Sequence, residues 1–191
     1  MARSDNLYEL PDNLPVPVDD GACSHLQGMR LPSVRLPSTA SGVVDLSELR
    51  GRTVVYCYPR TGRPDEEPPP GWNEIPGARG CTPQSCAFRD HERELKAFGA
   101  RVFGVSAQTP LAQREAAERL HLPFELLSDH KLDFAKALRL PTFEVQSMTL
   151  LKRVTLIIAS GRIEKVFYPV FPPDKNAEEV IRWLSQNHAI P

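Results

Sequence analysis

Apolar residues along this chain fall into two kinds of run. Thr53-Val-Val-Tyr-Cys-Tyr58 is unbroken, rich in β-branched and aromatic residues, and bounded by Gly51 and Pro59. That is the pattern of a strand buried on both faces at the centre of an α/β sheet. Val102-Phe-Gly-Val105 and Phe124-Glu-Leu-Leu127 read as two more strands. Between them the apolar positions change to helical spacing. Phe88, Leu95 and Phe98 follow Thr82-Pro83 and stop at Gly99, which predicts a helix with Thr82 as N-cap and Pro83 at its first position. Thr109-Pro110 opens a second helix running to about Leu120, and residues 131 to 138 form a short third one. Arg153 to Ala159 and Arg162 to Tyr168 flank Ser160-Gly161, the signature of a β-hairpin. Asp174 is the expected cap of a last helix that buries Val180, Trp183 and Leu184. The order βαβαβα, hairpin, α requires parallel strands with crossover helices plus an antiparallel part. An α/β fold with a mixed central sheet flanked by helices satisfies it, close to the thioredoxin architecture.

Two segments lack either period. Residues 1–28 are polar, with Pro11, Pro15, Pro17 and an Asp19-Asp20-Gly21 turn signal, and read as an extended arm or partly disordered tail before a domain of residues 29–191. Residues 60–80 alternate prolines with glycines. This is a long loop inserted beside a core strand, a common place for function. Trp72 within it is expected to pack down as a hydrophobic anchor. Asp45-Leu-Ser-Glu48 resembles a short capping box.

Charge removes some classes of function. Lys and Arg number 23 against 24 Asp and Glu, a net charge of -1 over 191 residues. That leaves no electrostatic footprint for nucleic acid or an anionic membrane. No apolar run approaches the ~18 residues of a membrane span. The start, Met1 to Asp12, lacks an apolar core of the secretory kind, so the expected address is the cytoplasm. There, paired cysteines read first as redox or metal chemistry.

Gly80-Cys81-Thr-Pro-Gln-Ser-Cys86 is the most informative stretch. Cys81 lies where a loop hands over to a helix N-terminus, whose unpaired N–H groups favour a thiolate. A thiolate attacks peroxides and disulfides. Arg79 and Arg89 add positive charge nearby. This reading requires that the sulfur be reachable from solvent. Cys86 lies five residues on. In an intact helix the two Cα atoms stand roughly 8 Å apart and the side chains diverge by about 140°. A disulfide needs about 4.4–6.8 Å, so the pair can join only if the first helical turns unwind. A metal site extended by His91 is disfavoured by the same divergence, and no metal or cofactor is expected. Inert packing of the two thiols is the bland alternative. Cys57, inside the central strand, reads as core, and Cys23, in the arm, as incidental.

Tyr58-Pro59, then Gly80-Cys81-Thr82, then Cys86-Ala-Phe-Arg-Asp90 resemble the peroxiredoxins, most closely the bacterioferritin-comigratory-protein or PrxQ branch. The likeness runs from about Met29 to Leu184 and takes in Asp45 to Gly51 and Leu126-Leu-Ser-Asp129. It implies a thioredoxin-like domain and a thiol peroxidase acting on hydrogen peroxide and organic hydroperoxides. It implies Cys81 as the peroxidatic cysteine and Cys86 as the resolving one, joined as an intramolecular disulfide that thioredoxin or a similar dithiol protein reduces. Arg153 matches the arginine that such proteins bring to the thiolate and the peroxide. Pro59, Thr61 and Thr82 are the candidate substrate-binding residues, and the branch suggests a monomer. One departure stands out. The family string P-x-x-x-T-x-x-C places a threonine three residues before the cysteine, and here that position is Ala78. Pro59 and Thr61 take up the string only if the loop folds back. The missing hydroxyl motivates an alternative, a non-enzymatic redox switch or holdase using the same disulfide. A general disulfide oxidoreductase is a third reading, against which the x4 spacing counts.

Overall fold

The structure, a computed structural model, describes residues 5–187; residues 1–4 of the expected arm and 188–191 of the expected domain lie outside them. The strands are β1 (Arg35–Pro37), β2 (Val43–Asp45), β3 (Arg52–Cys57), β4 (Ala100–Ser106), β5 (Glu125–Ser128), β6 (Thr142–Val145), β7 (Met148–Leu151), β8 (Val154–Ala159) and β9 (Arg162–Phe167). The helices are α1 (Cys81–Asp90), α2 (Glu92–Ala97), α3 (Pro110–Arg119), α4 (Asp133–Leu138) and α5 (Asn176–Gln186). Five strands form the central sheet in the order β5-β4-β3-β8-β9. β3, β4 and β5 run parallel, β8 pairs antiparallel with β3, and β9 pairs antiparallel with β8. This is the thioredoxin-like mixed sheet that the pattern demands.

The unbroken run in β3 serves two cores at once because strand side chains alternate between faces. Val54, Tyr56 and Tyr58 face a layer that includes Cys81, Phe88, Ala116, Val180 and Leu184. Val55 and Cys57 face the other, with Leu26, Phe134 and Leu138. Cys57 is thus fully buried on the side of the sheet away from Cys81. Tyr56 stacks on Phe88 of α1 with ring centroids 4.6 Å apart, and its hydroxyl lies 3.0 Å from Ser85 Oγ. One aromatic pair therefore fixes the helix that carries both cysteines to the central strand.

Gly104 in β4 makes the space that Tyr56 occupies. A Cβ there would stand 2.6 Å from Leu126 Cδ2 and 2.7 Å from Tyr56 Cζ. Gly104→Ala is expected to destabilise the protein by about 1–3 kcal/mol through overpacking, read as a lower midpoint in urea unfolding.

Several expectations are corrected. Thr82 is not the N-cap. Gly80 is, at φ +103°, and the helix starts at Cys81 itself, with Pro83 third in the helix rather than first. The long helix breaks at His91 into α1 and α2. Arg153 stands just before β8 rather than inside it. Asp174 lies inside a short 3-10 turn, Pro173–Lys175, and does not cap α5. The hairpins β1–β2 and β6–β7 were not foreseen. Ser160-Gly161 does form the tight turn, with positive φ at both residues, and Asp45 does cap a short 3-10 turn by accepting from the Ser47 N–H at 2.9 Å.

Residues 5–28 are no loose tail. Leu7, Cys23 and Leu26 are buried. Gly28 and Leu31 N–H groups donate to the Ile163 and Gly161 carbonyls at 2.8 and 2.9 Å, which covers the edge of β9. Asp20 accepts from Lys152 Nζ and from the Tyr168 hydroxyl, each at 2.8 Å. These bonds hold its carboxyl far below the usual range. Cys23 is a core residue, and burial pushes its thiol up to about 12, which leaves it a neutral packing group.

Candidate active site

The 60–80 insertion is anchored at its far end. Gly71, at φ +73°, turns the chain into a 3-10 helix, Trp72–Glu74. Trp72 is buried and packs on Phe143 of the β6–β7 hairpin, ring centroids 6.2 Å apart. Ala78 and Leu150 complete that small cluster. The anchored loop then returns through Gly77-Ala78-Arg79-Gly80 to the start of α1.

Gly80 is required there for two reasons. Its φ of +103° is in the region that side chains disfavour. A Cβ on it would also stand 2.4 Å from Pro173 Cγ and 2.7 Å from Leu10 Cδ2. The sharp turn starts the helix at the cysteine, so Cys81 belongs to the first turn, where backbone N–H groups lack helical partners.

Arg153 approaches from the opposite side. Its Nη2 lies 3.3 Å from Cys81 Sγ. The same nitrogen donates to the carbonyls of Gly77, Ala78 and Arg79 at 3.2, 3.3 and 3.1 Å. Nη1 donates to Gln84 Oε1. Gln84 Nε2 in turn donates to Asn176 Oδ1 at 3.0 Å, which also accepts from Thr155 Oγ1 at 2.6 Å. A buried polar chain thus runs from the sulfur to the start of α5 and fixes the guanidinium plane. The start of α1 and Arg153 thus meet at one sulfur atom, which also lies 3.7 Å from the Ala78 carbonyl oxygen.

Cys81 is only 3% exposed, yet it lines a cavity of about 20 Å³. Gly80, Thr82, Arg79, Trp72 and Leu7 also form its walls, together with loop residues from Arg60 to Pro69. About 10–15 Å³ on this measure admits one water, so the space suits a molecule of that scale. Thr82 is 1% exposed, lines the cavity, and its hydroxyl has no hydrogen-bond partner among the described residues. A buried hydroxyl left unpaired in the empty protein is available to a ligand.

The predicted residues therefore divide. Cys81 and Thr82 line the cavity, and Arg153 meets the Cys81 sulfur without itself lining it. Pro59 is buried at the end of β3, and Thr61 directs its N–H and hydroxyl to Gln108 Oε1 at 2.8 and 3.1 Å. Neither lines the cavity. The loop does not return the threonine of the family string to the cysteine; Thr82 stands there instead. Cys86 is half-buried in the second turn of α1, and burial raises its thiol against the pull of Arg89. Sequence reasoning missed Gln84, although a residue three after Cys81 lies one turn on along the same helix face. Asn176 carries no such signal. His91 pairs with Glu94 at 3.0 Å, and among the described residues no group of three or more metal-ligating side chains is assembled. No described helix is long and apolar enough to cross a membrane.

Known proteins resemble this chain in sequence and in fold. Residues 26–181 match the Redoxin family model. The chain is 32% identical over 160 residues to peroxiredoxin Q, chloroplastic, of Populus jackii, covering 83% of this chain and 67% of that one. It is 30% identical over 161 residues to peroxiredoxin Bcp of Escherichia coli strain K12, covering 82% and 93%. Among solved structures, peroxidoxin BcpB of Mycobacterium tuberculosis superposes with a TM-score of 0.70 at 23% identity, covering 86% of this chain and all of that one.

Proposed function

Because the chain belongs to the redoxin family, in the group of peroxiredoxin Q and Bcp, we propose that it is a thiol peroxidase with Cys81 as its nucleophile. The carrying observation is the meeting of the α1 N-terminus and Arg153 at one cavity-lining sulfur, with Thr82 in the same cavity wall. The Cys81 thiolate attacks the terminal oxygen of a hydroperoxide. The S–O bond forms as the O–O bond breaks, and the leaving oxygen takes a proton to depart as water or alcohol. Cys81 is left as a sulfenic acid. Arg153 stabilises the thiolate and the charge that develops on the leaving oxygen. Thr82 orients the peroxide in place of the hydroxyl absent at Ala78. Thr61 and Pro59 support this indirectly, by holding the start of the loop against Gln108 and the sheet. Cys86 then displaces water from the sulfenic sulfur, giving a disulfide that thioredoxin or a similar dithiol protein reduces by exchange.

The test is peroxide consumption by the protein with thioredoxin and its reductase. Sustained turnover is expected, and mass spectrometry of the oxidised protein should map a Cys81–Cys86 disulfide. One stoichiometric oxidation without a cycle would favour the redox-switch reading instead. Thr82 provides a sharper check. Thr82→Val is expected to lower kcat/KM by about 10–100-fold for loss of one hydrogen bond to the reacting group. It should leave thermal stability unchanged or improved, because the hydroxyl it removes satisfies nothing in the free protein. Unchanged kcat/KM would remove Thr82 from the site.

A further inference from the structure

The opening stretch of the described chain lies across the sulfur that must meet the peroxide. Leu7 is 7% exposed and forms part of the cavity wall over Cys81. Its seat is built by neighbouring groups. Asn6 makes a side-chain turn, its Oδ1 accepting from the Tyr8 N–H at 3.0 Å, while its carbonyl accepts from the Glu9 N–H at 3.4 Å. This turn leaves Tyr8 outside and Leu7 inside. Arg79, 4% exposed and itself in the cavity wall, clamps the turn. Its Nη1 donates to the Asp5 carboxylate, and its Nη2 donates to the Asn6 carbonyl and, at 3.2 Å, to that of Glu9. Leu10 then packs into the space left by the absent side chain of Gly80.

The walls differ in what holds them. Gly80, Cys81 and Thr82 belong to the start of α1, and Trp72 is locked on the β6–β7 hairpin. Leu7 belongs to no helix or strand, and the Arg79 clamp holds it in place. Like the wall residues of the 60–69 loop, it can be displaced without unmaking an element of the fold, and unlike them it is held by a buried arginine that also lines the cavity.

We propose that residues 5–10 determine which hydroperoxides the protein accepts. Held by Arg79, Leu7 admits hydrogen peroxide and comparably small hydroperoxides and excludes aryl and lipid hydroperoxides. The volume supports this division. About 20 Å³ is room for a water-sized molecule, whereas a cumyl or acyl-chain substituent on the peroxide needs a wall to give way, and the Leu7 turn, held by Arg79, is the wall we assign to it. The consequence for substrates rests on the peroxidase reading above; the wall itself does not.

Two measurements separate those claims. In a Cys86→Ser background, Cys81 is alkylated with iodoacetamide and with pyrenyl maleimide, and the labelled peptide is identified by mass spectrometry. The rate ratio of bulky to small reagent is expected to rise about 10-fold or more in Leu7→Ala, on the scale of a pocket contact of that size. It should also rise in Asp5→Asn, which weakens the clamp by changing one part-exposed carboxylate and so preserves the fold. In the chain with Cys86 restored, the kcat/KM ratio of cumene hydroperoxide to hydrogen peroxide should move the same way. An alkylation ratio unchanged in both variants overturns the wall. An increased alkylation ratio with a peroxide ratio that stays fixed overturns the substrate claim. An increased alkylation ratio with no peroxide consumed by the unsubstituted protein supports the wall and sinks the peroxidase reading.

Discussion

Cys81→Ser is expected to reduce peroxide consumption by on the order of 10⁴-fold or more, as loss of a nucleophile does elsewhere, whereas Cys86→Ser should spare the first turnover and stop the cycle. The difference follows from where the two sulfurs sit. A serine hydroxyl at position 81 stays protonated even beside the helix N-terminus and Arg153, so no nucleophile forms. At position 86 the side chain is one and a half turns away, and its thiol is pushed up by burial. Its reaction requires α1 to open. Opening breaks the bonds of Gln84 to Arg153 and Asn176 and of Ser85 to Tyr56. The stacked pair of Phe88 and Tyr56 remains as the point where unwinding stops. Stopped-flow mixing of Cys86→Ser with peroxide should therefore show one rapid oxidation and a trappable sulfenic acid. In the unsubstituted protein, disulfide formation should coincide with a loss of helical circular dichroism. It should also quicken as pH rises, because the raised thiol of Cys86 gains its reactive anion only towards alkaline pH. Full steady-state turnover by Cys86→Ser with thioredoxin would show that another group resolves the sulfenic acid.

The central sheet was legible because its signals are long and local. β3 is a continuous apolar run, and Ser160-Gly161 is a turn dipeptide of known geometry. The position of Cys81 at a helix start was legible for the same reason, since the proline- and glycine-rich loop before it can form no α-helix or strand. The cap was misassigned because Thr82-Pro83 fits the usual N-cap rule, while Gly80 fills the role through a backbone conformation that leaves no side-chain mark. The β1–β2 and β6–β7 hairpins, strands of three and four residues, are too short to show a period. How the arm is held could not be read, because its order comes from distant partners, Arg79 for Asp5 and Lys152 for Asp20, and tertiary pairing of that kind cannot be seen in composition. The same holds for Asn176, which matters only because the fold places it against Gln84.

Arg153→Lys should lower kcat/KM by about 10²–10³-fold, the usual loss for one preorganised donor to a developing anion. The loss should fall mainly on kcat, since the charge it stabilises develops in the transition state. Lysine keeps the charge but not the fork. In the protein one Arg153 nitrogen faces Gln84 while the other spans three carbonyls and the Cys81 sulfur. A single ammonium cannot hold the Gly77–Arg79 carbonyls and still point at the sulfur, and it leaves Gln84 Oε1 buried without its donor. Gln84→Leu offers the control. It removes the positioning bond while leaving the guanidinium and its contact with the sulfur available, so it should lower kcat less than Arg153→Lys does. It should also uncouple the start of α5, seen as faster amide exchange around Asn176. Equal losses in the two variants would mean that Arg153 serves the loop rather than the chemistry. An Arg153→Lys protein that folds normally and keeps full activity would remove the guanidinium from the mechanism.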